Sequence, residues 1–288
     1  MNLSLSRSFP IAKAALAAAV IACAFALACS LAGCASGGTD STSASTDGKT
    51  LRVAMELAYP PFETKDDAGN PEGLAVDFIR DFGAAYGYDV QIENTAWDGL
   101  IPSLQSDKAD LVISSMTITD ERKQSVDFSD AYAMAQLAIL ANADSGVTSI
   151  DDLNQPGKKV AVKTGSTGDV YATKNLTNAE IVRLADESAC VTEVVQGKAD
   201  GFLYDQLTIY RNHQANPDTT EAVFIPFQDA EEWGIAVKQG NTELLDQLNA
   251  FIAQSKTDGE FDRLTEKYLA DEKKAFDQYG FKWFFDFE

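Results

Sequence analysis

The stretch Ser114-Ser115-Met116-Thr117-Ile118-Thr119-Asp120-Glu121-Arg122 places hydroxyls at a strand end just ahead of an arginine. Thr119 reads as a helix N-cap, with Asp120 and Glu121 in the first turn, where acids suit the positive end of the helix dipole. Arg122 falls on the third helical position, where a cation gains little from its own helix. Its use must lie elsewhere. A guanidinium beside N–H donors holds a carboxylate, often through two parallel bonds. Asp205, closing GFLYD, can hold an ammonium. Tyr59, in YPPFE, and Trp97 offer aromatic faces. The turn TGSTGD (164–169) adds the Ser166 and Thr167 hydroxyls and the free N–H groups of a helix start, which bind a carboxylate as readily as a phosphate. The plainer reading of that turn is a helix cap and nothing more. Taken together, these side chains describe a pocket for a free α-amino acid.

Other chemistries lack their residues. TGSTGD has neither the spacing nor the lysine of a phosphate-binding loop. His213 is the one histidine, set in a polar stretch, so a serine–histidine nucleophile is not assembled. The pattern predicts no metal site and no cofactor. The formal charge of −21, with Asp+Glu 44 against Lys+Arg 23, argues against nucleic acid and against electrostatic docking on an anionic membrane. With 45% hydrophobic residues, the chain has enough apolar surface for a packed core.

The candidates sit at the ends of predicted strands. TLRVAMEL (50–57), YDVQIE (88–93) and DLVISS (110–115) read as strands; LAVDFIRDFGAAYG (74–87) and WDGLIPSLQSDKA (97–109) read as the helices between them. Leu74, Phe78, Phe82 and Tyr86 fall on one helical face. A second series repeats the alternation: KKVAVK, VYATKNL, AEIVRLAD, ESACVTEVVQGKAD, GFLYD and QLTIYRNHQ. Alternating strands and helices predict an α/β fold of doubly wound lobes, whose ligands bind beyond the carboxyl ends of the strands. NTELLDQLNAFIAQSKTDG and EFDRLTEKYLA give a helical end, followed by the aromatic tail KAFDQYGFKWFFDFE, expected to pack on a lobe.

The first residues read as targeting rather than fold. Arg7 and Lys13 precede an apolar run, Ala14 to Leu31, that ends in Leu31-Ala32-Gly33-Cys34. Small residues before that cysteine resemble a bacterial lipobox, which implies cleavage before Cys34 and a lipid on its thiol; an uncleaved transmembrane anchor is the alternative. Residues 35–49, rich in Gly, Ser and Thr, read as a flexible tether. After cleavage Cys190 is the one cysteine left unmodified, expected as a buried helical residue with no disulfide framework.

From residue 50 to about 270 the chain resembles the bacterial extracellular solute-binding proteins (family 3) of polar amino acid ABC transporters. YPPFE, GLAVDF, WDGLIPSLQSDKADLVISSMTITDERKQSVDFSDAY, VAVKTGSTG and GKADGFLYD carry the resemblance. It implies a periplasmic-binding-protein-like fold of type II, two doubly wound α/β lobes joined by two hinge strands, matched here by AQLAILAN and EEWGIAVK. The expected divisions are a signal peptide (1–33), the lipidated Cys34 and tether (34–49), a first lobe of 50–140 plus 232–288, and a second of 141–231. By position, Arg122 would clamp the ligand's α-carboxylate with Thr117 and Thr167. Asp205 would take the α-ammonium with the Ser115 region and Thr117. Tyr59 and Trp97 would sandwich the side chain, and Ser114 and Ser166 would line the same cleft. Glu56 stands where the family often has aspartate to read a side chain, pointing to a polar or basic amino acid or to cystine. Gly168, where a larger polar residue is common, would widen the pocket. The implied partners are the amino acid, a membrane permease with its cytoplasmic ATPase, and the membrane through the lipid; a monomer is expected. The implied role is non-enzymatic import. An exported cyclohexadienyl dehydratase-like enzyme and a ligand-presenting sensory protein are the alternatives.

Overall fold

The computed structural model describes residues 49–279 and 282–287. The signal-like run, Cys34 and nearly all of the tether lie outside them. Two five-stranded sheets form the framework. The first runs in the order Tyr88–Asn94, Lys49–Met55, Leu111–Val112, Ala236–Lys238, Val126–Phe128. The second runs Glu180–Leu184, Lys159–Lys163, Gly201–Asp205, Leu137–Asn142, Thr220–Val223. In each, three parallel strands are followed by one antiparallel strand that the chain enters after changing lobes. The fold is thus two α/β lobes of the type II arrangement.

The central strands of both sheets are covered on both faces, which explains their nearly continuous apolar residues. Leu51, Val53 and Met55 pack under the helix Leu74–Tyr86 and the C-terminal helices, while Ala54 faces Leu100 and Leu104. In the second sheet Ile139, Ala141, Val160, Val162 and Leu203 pack on one side; Ala138, Leu140, Ala161 and Phe202 pack on the other. That alternation is the period of two along a strand. The helix Leu74–Tyr86 buries Leu74, Phe78 and Phe82 and stops at Gly87, whose φ of 75° forms the left-handed cap.

The chain crosses between lobes on the antiparallel pair Ala133–Ala135 and Glu231–Trp233. The first of these strands precedes AQLAILAN and shares only Ala135 with it, and the second is the opening of EEWGIAVK. Leu137–Asn142 lies wholly in the second sheet, so a division at 140/141 would cut a strand. Its unbroken apolar residues belong to a central strand covered on both faces, not to a connector. Gln136 marks the change of lobe. Its N–H donates to Gln206 Oε1 at 2.6 Å, and Gln206 N–H donates to its carbonyl at 2.9 Å.

The aromatic tail packs behind this crossing. Met134 N–H donates to the Phe284 carbonyl at 2.6 Å. The Phe284 ring lies 5.5 Å from Trp233 and 5.1 Å from Phe62 between centroids, and Phe62 stacks on Tyr59 at 5.5 Å. Glu272 reaches the second lobe's Arg211 at 3.4 Å. Fully buried Phe284 thus supports both crossing strands and the floor of the cleft. Phe284→Ala should lower stability by about 3–5 kcal/mol in urea unfolding, the usual cost of an emptied aromatic site. A loss below about 1 kcal/mol would mean the tail merely rests on the surface.

Candidate functional site

The carboxyl ends of the parallel strands in the two sheets face one narrow cavity. Every residue expected to touch the ligand lines it: Glu56, Tyr59, Trp97, Ser114, Ser115, Thr117, Arg122, Ser166, Thr167 and Asp205.

Arg122 stands in a single 3-10 turn, Arg122–Gln124, and not in a regular helix. The residue at the start of the turn is Glu121 and not Thr119, although Thr119 Oγ1 accepts from Arg122 N–H at 3.2 Å. A one-turn element has little macrodipole, so the dipole reading of Asp120 and Glu121 loses its force. The guanidinium donates to the Thr117 carbonyl at 2.7 Å and to the Gly165 carbonyl of the other lobe at 3.2 Å. It lies 5.2 Å from the centre of the Trp97 ring. Burial pulls its pKa below the ordinary value, with Glu231 the largest opposing influence.

Asp205 ends the strand Gly201–Asp205 and caps the helix Gln206–Ala215. Its Oδ1 accepts from Leu207 N–H at 2.9 Å, Thr208 N–H at 3.1 Å and, across the cleft, Tyr59 Oη at 2.7 Å. Burial raises its pKa, and these donors oppose the rise. Ser166 caps the helix Thr167–Asn175, its Oγ accepting from Asp169 N–H at 3.2 Å. The Thr167 and Thr117 hydroxyls, one from each lobe, donate to Glu231 Oε2 at 2.7 and 2.9 Å. Ser114 Oγ accepts from Glu56 N–H at 3.0 Å. Ser115, at a left-handed φ of 48°, turns the chain so that its Oγ donates to Glu63 Oε2 at 3.1 Å.

Gly168 does not widen the cavity. It is buried against the strand Gly201–Asp205, where an added Cβ would lie 2.4 Å from the Leu203 carbonyl. Its small size sets helix-to-strand spacing, so the expectation of a wider pocket is corrected. Tyr59 packs edge-on to Trp233 and Tyr204, while Trp97 carries two cations, Arg122 and Lys163, each 5.2 Å from the ring centre.

The sequence reading gave no role to Glu63, Leu137, Tyr204, Glu231 and Trp233, which also line the cavity, nor to Lys163 and Glu187 beside it. Lys163 is the last residue of its strand, the same position that flagged Asp205, so the strand-end rule would have found it. Its ammonium, 2% exposed, pairs with Glu56 across the cleft and lies 3.7 Å from Glu187. Burial drives the Glu63 carboxyl well above its ordinary value, with the Ser115 hydroxyl pulling the other way. Glu187 is pushed up to about 7, chiefly by burial, with Lys163 pulling the other way. Away from the cleft, His213 Nδ1 lies 3.1 Å from the Thr220 carbonyl. Cys190 is buried on its helix, with a thiol pushed up to about 12 by burial, unsuited to nucleophilic work. Among the described residues no acidic, histidine or cysteine cluster could hold a metal, and no helix is long and apolar enough to cross a membrane.

Fold and cleft together define a two-lobe binding protein whose site forms where the lobes meet. Residues 51–271 match the model of the bacterial extracellular solute-binding proteins, family 3, and the chain belongs to that family. It is similar to a probable histidine-binding protein of Neisseria gonorrhoeae, 36% identical over 254 residues, covering 86% of this chain and 94% of that one. It is similar in structure to an ancestral arginine-binding protein bound to arginine, with TM-score 0.70 and 36% identity, covering 76% and 98% of the two chains. It also resembles the ancestral amino acid-binding protein AncCDT-1, a precursor of cyclohexadienyl dehydratase, with TM-score 0.69 and 38% identity over 76% and 94%.

Glu187 makes the cleft's charge a stability variable. Its folded pKa of about 7 lies above the ordinary 4.5, so between those pH values the folded chain binds more protons there than the unfolded chain. Its contribution to stability therefore falls as pH rises through that interval. Glu187→Gln should flatten the decline in unfolding free energy between pH 4.5 and 7, measured by urea titration at each pH. An unchanged pH slope would place the ionisation of Glu187 in the ordinary range.

Proposed function

We propose that the protein binds a free amino acid, of the polar or basic type or cystine, between its lobes and delivers it to an ABC importer. The observation that carries this is the pairing in one cavity of Arg122, whose guanidinium is hydrogen-bonded, among the described residues, to carbonyl oxygens only, with the buried carboxylate of Asp205. Those charges complement an α-carboxylate and an α-ammonium. The names of the relatives, which speak of histidine and arginine, support the same ligand class.

In this reading the ligand's carboxylate meets the Arg122 guanidinium and the first-turn N–H groups at Thr167, and its ammonium meets Asp205. Arg122 and Asp205 come from different lobes, so one ligand couples both and favours the closed form. Closure makes its own contacts, Tyr59 to Asp205 and Arg122 to the Gly165 carbonyl, which the ligand's contacts supplement. The closed form docks on the membrane permease. The lipid on Cys34 holds the protein, as a monomer, outside the cytoplasmic membrane near that permease.

The role is binding without chemistry. An enzyme acting on a carboxylate-bearing ring needs a free general acid over the reacting atoms. Glu56 is engaged by Lys163, Asp205 Oδ1 already accepts three hydrogen bonds, Glu63 is buried under the Ser115 hydroxyl, and Glu187 faces the Lys163 ammonium at 3.7 Å. Incubation with prephenate or arogenate, followed by absorbance, should give no product.

Isothermal titration against the twenty amino acids and cystine should find at least one ligand; silence from all of them at micromolar protein would contradict the proposal. Arg122→Ala and Asp205→Asn should each weaken that ligand at least about tenfold, since losing a charge-assisted partner in a closed cleft costs about 2–5 kcal/mol. Asparagine is chosen at 205 because it keeps the helix cap. Parental affinity in both variants would mean that the ligand lies elsewhere.

A further inference from the structure

Lys163 occupies the positions that would receive a ligand cation. The Glu56 carboxylate, left alone, would be an anion at the wall of the cleft and would select a positively charged side chain. The face of Trp97, left alone, would attract the same group. Here one ammonium takes both. Lys163 Nζ is ion-paired with Glu56, lies 5.2 Å from the centre of the Trp97 ring and lies 3.7 Å from Glu187 on its other side. With 2% of its side chain exposed, it cannot leave the pair without finding another buried partner or opening the lobes. An entering arginine or lysine would have to displace it, and removing one partner from a buried ion pair is strongly unfavourable.

The pair still offers hydrogen bonds. An ammonium has three N–H groups, and a carboxylate has two oxygens with several acceptor sites. Lys163 has donor capacity beyond Glu56, and Glu56 has acceptor capacity beyond Lys163. A donor and an acceptor side by side match a side chain that carries both: an amide, a neutral imidazole, or the second ammonium–carboxylate head of cystine. They match a full cation poorly.

We infer that Lys163 sets the specificity of the cleft, selecting α-amino acids whose side chain is a neutral or zwitterionic hydrogen-bonding group over those with a cationic one. This rests on the amino-acid reading and narrows it. Lys163 is a specificity residue here as well as a cross-lobe contact. Weakening closure lowers the affinity of every ligand together, whereas a specificity role changes the ratio between ligands.

The test is titration calorimetry of parent, Lys163→Gln and Lys163→Arg with L-glutamine, L-histidine, L-cystine, L-arginine and L-lysine, at pH 8 so that free imidazole is neutral. The parent should bind one of the first three at least about tenfold more tightly than arginine or lysine, a gap of about 1.4 kcal/mol. Lys163→Gln should shrink that ratio at least about tenfold by raising relative affinity for the cations, and Lys163→Arg should preserve it. A parent that prefers arginine or lysine, or a ratio that Lys163→Gln leaves unchanged, would overturn the inference. If Lys163→Gln does not fold by circular dichroism, the parental ratio and its retention in Lys163→Arg decide. Should none of the five bind the parent while another amino acid does, the inference fails and the broader reading survives; if no amino acid binds, both fail.

Discussion

Among the described residues, the hydrogen bonds of the Arg122 guanidinium go to carbonyl oxygens, Thr117 at 2.7 Å and Gly165 at 3.2 Å. Taking a guanidinium partly out of water is unfavourable, and burial is the main influence on its pKa. Carbonyl acceptors orient the fork without neutralising it. An anion entering the cavity would therefore gain a strong, directional interaction in a site of reduced dielectric. The rest of the cleft is arranged around that charge. Trp97 covers the guanidinium's face, and Glu231 stands nearby with its carboxylate satisfied by the Thr117 and Thr167 hydroxyls and by Gln228.

The fold delivers these groups by repetition. Both sheets use the same strand order, so the carboxyl ends of the parallel strands in each lobe point toward the crossing. Turns at those ends carry the polar residues, where backbone N–H groups are free and the side chains need not pack in a core. The tail around Phe284 braces this crossing from behind, through Met134 and Trp233. The family match ends at residue 271, so the brace is built largely from residues beyond the matched segment.

Strand ends, helix faces and the lobe alternation were legible in the sequence because they rest on local periodicity and on turn residues. Leu74, Phe78 and Phe82 advertise their helix face, and Gly87 its end. Every candidate at a strand end reached the cavity. The extent of the crossing was not legible: AQLAILAN has the composition of both a connector and a central strand, and only pairing distinguishes them. Gly168 was misjudged because its constraint comes from Leu203, a partner distant in sequence. The Glu56–Lys163 pair and the Glu63 carboxyl under Ser115 join residues 107 and 52 positions apart, which no local pattern reports.

The most direct measurement is a crystal structure of the protein with the amino acid it binds most tightly. The account predicts one ligand between the lobes, its α-carboxylate bonded to the Arg122 guanidinium and its α-ammonium to Asp205. A ligand bound outside the cleft, or one lying in it with its ammonium toward Arg122, would contradict the account.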